Sequence, residues 1–92
     1  MESAWTMKVP LNRENTEHAI FELKEMDIDL FMAVKALIAK DKWQEAILMM
    51  INTLKVGGDD TGKIKGNFIA FHSATDLVTR LLEPVPGELK KN

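Results

Sequence analysis

The sequence predicts a small, mainly α (α+β) domain: three to four helices with an N-terminal β-hairpin over about residues 5–24. Three observations predict it. Apolar and polar residues alternate through much of residues 5–24, which is the period of strands. From residue 28 the apolar spacing lengthens to that of helices. Cap-forming side chains, Asp27, Asp41 and Ser73, stand just ahead of the helical stretches. Residues 1–86 read as one domain and residues 87–92 as a polar tail.

The elements follow in order. In residues 5–11, Trp5, Met7, Val9 and Leu11 face one way and Thr6, Lys8 and Pro10 the other. Pro10 lacks an N–H, which suits an edge strand or a strand end. Residues 12–17 are polar and turn-forming, and Ala19, Phe21 and Leu23 share one face of a second strand. A helix starting at Thr16 is the competing reading of that stretch. Asp27 caps a helix over about 28–40 with Leu30, Phe31, Val34, Leu37 and Ile38 inward. Asp41, with Gln44 three residues on, reads as the cap of a second helix over about 42–55. That helix buries Trp43, Ala46, Ile47, Met50, Ile51 and Leu54. Residues 56–66 hold four of the five glycines and read as a loop. Phe68–Phe71 is either a short extended piece or a helical turn. Ser73 opens a last helix over 74–83, with an Asp76–Arg80 pair on its surface and Pro84 and Pro86 ending it.

Composition bounds the function. A chain of 92 residues with 46% hydrophobic and 28% charged residues has the make-up of a single folded domain. Its net charge of −2 leaves no basic stripe, so nucleic acid is not the expected partner. No cysteine is present, which excludes disulfides, thiolate metal sites and thiol nucleophiles. Neither a signal-peptide pattern nor an apolar run of about 20 residues is visible. A cytoplasmic protein without a membrane partner is the expectation.

Catalytic patterns do not assemble either. His18 and His72 lie in separate segments with no second histidine at helical spacing. Gly62-Lys63 resembles the end of a phosphate loop, but Ile64 stands where a hydroxyl must ligate magnesium. Asp59, Asp60 and Thr61 offer oxygens without the spacing or the closing glutamate of a calcium loop. No Gly-x-Ser-x-Gly elbow occurs. The expectation is a protein that is no enzyme and has no catalytic residues, no cofactor and no metal.

The positive signals concern binding. Leu48 and Met49 fall outside the main stripe of the second helix, and Met32 and Ala36 widen the apolar surface of the first. These four are the candidate partner-binding residues. A surplus of apolar helix surface calls for a protein partner or a homo-oligomer, unless the hairpin and the third helix cover it. Methionine, present six times, suits an adaptable contact surface. A homo-oligomeric nucleotide or small-molecule binder using Lys63, Lys65 and Arg80 is a further alternative.

Lys8-Val9-Pro10-Leu11 and Ile20-Phe21-Glu22-Leu23-Lys24-Glu25 as strands, the junction Met26-Asp27-Ile28-Asp29-Leu30, and Ala74-Thr75-Asp76-Leu77-Val78 in a closing helix form an ordered pattern. In this order the chain resembles the small tail assembly chaperones of contractile- and long-tailed bacteriophages. Apolar spacing carries the likeness over most of residues 7–83. The proline of the family's junction is missing, with Met26 near its place. The resemblance implies a non-enzymatic helper in the host cytoplasm that binds the tape measure protein and the tail tube subunit. The expected function is therefore a tail assembly chaperone or adaptor holding an apolar helical segment of a virion protein. The alternative is a small phage- or plasmid-encoded inhibitor of a host enzyme or defence complex.

Overall fold

The alternation at the N-terminal end becomes a β-hairpin in the computed structural model of the protein, which describes residues 3–83. Strand β1, Trp5–Pro10, pairs antiparallel with β2, His18–Leu23. Met7, Val9, Ala19, Phe21 and Leu23 are buried on its inner face. The connection turns at Asn15, whose φ is 61°. Asn12 organises it: its Oδ1 accepts from the N–H groups of Thr16 and Glu17, and its Nδ2 donates to the Thr16 hydroxyl. Thr16 therefore closes a turn and does not open a helix.

The mainly helical class is corrected by a third strand. Where the sequence predicts the end of the second helix at Lys55 and loop from residue 56, residues 55–58 form β3, Lys55–Gly58, and the sheet runs β1-β2-β3. The protein is a small α+β fold, with about a fifth of its described residues in strand. Low strand propensity in Val-Gly-Gly hid the element, which is held by tertiary contacts. Gly58 takes φ +91°, and a Cβ there would collide with the Ile20 carbonyl oxygen. Next to it, the Asp59 N–H donates to Ile20 O at 2.7 Å, and Asp59 Oδ2 accepts from the Ile20 N–H at 2.7 Å. That backbone N–H, with Lys63 at 3.4 Å adding its charge, holds the Asp59 carboxyl below its ordinary pKa.

Helix α1, Ile28–Ala39, starts as expected, with Asp27 Oδ1 accepting from the Leu30 N–H at 2.8 Å. Its end differs from expectation. Asp41 adopts φ 62° and makes no side-chain cap for α2, Trp43–Leu54, whose N-cap position is Lys42. The Lys42 N–H reaches back to Leu37 O and the Asp41 N–H to Ile38 O, the two bonds of a Schellman motif. Asp41 thus fills the left-handed position usually given to glycine, and the corner between the helices follows from it. Gln44 is used elsewhere: its Oε1 accepts from the Gly66 N–H.

A 3₁₀ turn, Thr61–Lys63, leads to Ile64, which is buried. Helix α3 then spans Phe68–Leu82, beginning six residues earlier than the Ser73 signal predicts. Asn67 is the true cap: its Oδ1 accepts from the Ala70 N–H and its Nδ2 donates to Leu11 O. The same side chain therefore starts the helix and ties it to the hairpin. Ala70, Ala74 and Val78 are the buried face of α3. Among the described residues the ion pair is Lys63 with Asp59; Asp76 and Arg80 do not pair. Pro84, Pro86 and the tail at 87–92 lie outside the described residues. Among the described residues no helix is long and apolar enough to cross a membrane.

Candidate functional site

An open hollow of about 560 Å³ forms where four parts of the chain meet. Trp5 comes from the start of β1, Met26 and Glu25 from the β2–α1 link, Asp27, Ile28 and Phe31 from the start of α1, and Leu81 from the last turn of α3. Local structure fixes each wall. The Trp5 indole donates from Nε1 to Lys24 O at 3.2 Å, which lays its ring along the link. The Asp27 cap sets the first turn of α1 and so projects Ile28 outward, leaving it 69% exposed. Leu81, 43% exposed, closes the opposite side. Lys35 Nζ lies 5.3 Å from the centre of the Phe31 ring, a cation over an aromatic face.

A second hollow, about 300 Å³, continues from the first and shares Trp5 and Leu81 with it. Thr6, Met7 and Lys8 of β1 form one side, and Leu77 and Arg80 of α3 the other. Phe68, 69% exposed and stacked on His72, with Phe71 and Gln44 beside it, forms a separate patch at the start of α3.

The sequence-predicted residues do not converge. Met32 is 59% exposed and Ala36 is exposed, both on α1. Leu48 and Met49 are half-buried and pack against the core. None of the four lines the hollow at Trp5. The residues that do, Trp5, Met26, Ile28, Phe31 and Leu81, occupy strand, link and helix positions in the sequence pattern. Their only sequence-level signal was Ile28, an isoleucine directly behind a cap and off the apolar stripe. His18 makes a surface hydrogen bond with Asn15 Oδ1 at 2.7 Å. Asp59 and Asp60 spend their carboxylates on backbone N–H groups. Arg80 borders a hollow that neither Lys63 nor Lys65 lines. Among the described residues no group of three His, Asp or Glu side chains is placed to hold a metal ion.

No protein-family model, no curated protein and no solved structure matches the chain.

Proposed function

We propose that the protein is a non-enzymatic adaptor that holds an apolar helical segment of a virion tail protein, in the manner of a tail assembly chaperone. One observation supports this reading above others: apolar side chains from β1, the β2–α1 link, α1 and α3 converge on one open hollow, with Ile28 and Leu81 turned to solvent. Wide, shallow and lined by Trp, Met, Ile, Phe and Leu, such a surface suits the anchors of an amphipathic helix spaced three and four residues apart. Met32, on the adjoining part of α1, extends the greasy area beyond the hollow itself. Met26 and Met32 have the flexible thioether chains that adapt to different anchors.

Titration with helical fragments of a tape measure or tail tube protein tests the proposal. A complex with a dissociation constant below about 10 µM is expected, weakened at least tenfold, or by about 1.4 kcal/mol, by Ile28→Glu. Because Ile28 is largely exposed, that variant should keep its melting temperature. Binding unaffected by Ile28→Glu would remove the hollow from the function. A complex formed only with a host enzyme would place the protein among inhibitors instead.

A further inference from the structure

We infer that the free edge of β1, together with α3, is a second docking site, which takes an extended segment of the partner carrying acidic and apolar residues in alternation. The backbone supports this first. Among the described residues β1 is an outer strand of the sheet, bonded to β2 on one side. Leu11 donates its N–H to Glu17 O, so residues 11 and 17 form a hydrogen-bonded pair of the antiparallel ladder. The bonded pairs alternate, and the register opposes Lys8 to Ile20 and Thr6 to Glu22 as pairs whose N–H and C=O groups point away from each other. Ile20 confirms this assignment, since its N–H and C=O are both engaged on the β3 side by Asp59. Thr6 and Lys8 therefore turn their backbone groups outward from the sheet. Pro10 occupies the next outward position, where its missing N–H leaves the ladder to β2 intact.

The side chains complete the site. Thr6 and Lys8 point to one face of β1 and Trp5 and Met7 to the other, yet all four line the smaller hollow. A hollow touched from both faces lies along the strand edge. Its far wall is α3, through Leu77, Arg80 and Leu81. A strand added there meets outward backbone groups on one side and an apolar wall, Trp5 with Leu77 and Leu81, on the other. Lys8 and Arg80 both border this space, and neither pairs with a carboxylate among the described residues. Two unpaired cations select an acidic occupant. They also disfavour a second copy of this chain, because pairing two β1 edges about a twofold axis would gather both lysines and both arginines along one seam. Shared walls at Trp5 and Leu81 make the edge continuous with the larger hollow, so one partner can occupy both.

Two synthetic eight-residue peptides, one alternating valine with glutamate and one valine with lysine, test this on the intact chain by amide chemical shifts. The glutamate peptide should shift the Thr6 and Lys8 amides and bind at least about tenfold more tightly than the lysine peptide. Thr6→Pro, which removes one outward N–H, should weaken binding at least about tenfold, whereas Thr6→Val should not. Should Thr6→Pro lower the melting temperature, glutamate peptides N-methylated on one or the other alternate set of amides replace it. Only the set facing β1 should lose binding to the unaltered protein. Equal affinity for both peptide charges, or affinity indifferent to Thr6→Pro and to both methylation patterns, overturns the inference. Ile28→Glu leaves this edge untouched, so loss of helix binding at the larger hollow and loss of strand binding here are read separately.

Discussion

Helices α1 and α2 are both 12 residues long, and both carry apolar side chains beyond a single stripe, yet they end in different surroundings. α2 runs through the centre, touching α1, α3, β2 and the 3₁₀ turn, and buries Ala46, Ile47, Met50, Ile51 and Leu54. Its off-stripe residues Leu48 and Met49 find neighbours too. α1 packs chiefly on α2 and buries only Leu30 and Val34, which leaves Ile28 and Met32 open. A helix in the middle of so thin a domain can be apolar almost all round, whereas an outer one can bury one stripe. Surplus apolar surface therefore means core on α2 and available surface on α1.

Truncating one methionine on each helix puts this contrast to its hardest test. Met50 is fully buried, and Met50→Ala should cost about 3 kcal/mol through lost transfer energy and the cavity left behind. In a domain of this size that lowers the melting temperature by more than about 10 °C. Met32→Ala should change stability by less than about 0.5 kcal/mol. Urea unfolding of both variants measures the difference, and comparable losses would show that α1 is as enclosed as α2.

The next largest effect lies where α2 passes into β3. Gly58→Ala forces a Cβ onto the Ile20 carbonyl at a φ that L-residues rarely adopt, and should cost about 2 kcal/mol. Gly66, at φ +78° with open space around it, provides the control: Gly66→Ala should cost about 1 kcal/mol, from the backbone alone. Hydrogen exchange should show the Gly58 variant losing protection in β3 and the end of α2 before α1 is affected. Equal costs at the two glycines would mean that β3 is not clamped to β2.

Periodicity made the hairpin and the cores of all three helices legible, because in each the apolar residues repeat with the period of the element they form. β3 is not legible, since Val56-Gly57-Gly58 has the local chemistry of a loop and becomes a strand through its pairing with Phe21–Leu23 across the sheet and the Ile20–Asp59 bonds just beyond it. The start of α3 differs from the sequence expectation for a related reason. Ser73 lies within the helix and Asn67 caps it, and the two look equally cap-like until Asn67 is seen holding both Ala70 and Leu11. The hollow at Trp5 is not legible in the sequence. An excess of apolar surface on α1 was visible, but Trp5, Ile28 and Leu81 come together from distant parts of the chain, and no spacing rule links them.

The smallest effect concerns the corner that separates the two helices, and its sign decides between two roles for one residue. As a cap for α2, Asp41 would stabilise through its carboxylate, and replacing it with glycine or alanine would cost stability in both cases. In the structure it sits at φ 62° as the left-handed residue of a Schellman motif, where its backbone serves and its side chain caps nothing. Glycine removes the left-handed strain but adds entropy to the unfolded chain, so Asp41→Gly should gain only about 0.5 kcal/mol, roughly 2–4 °C in melting temperature. Asp41→Ala keeps the Cβ and loses the tolerance of Asp for this conformation, and should lose about 1 kcal/mol. Asp41→Asn should be close to neutral, since asparagine tolerates the left-handed region and only the charge changes. A loss of a few tenths of a kcal/mol with glycine, in place of the gain, would return Asp41 to the role of cap, and the corner would then be held by a side chain instead of by backbone geometry.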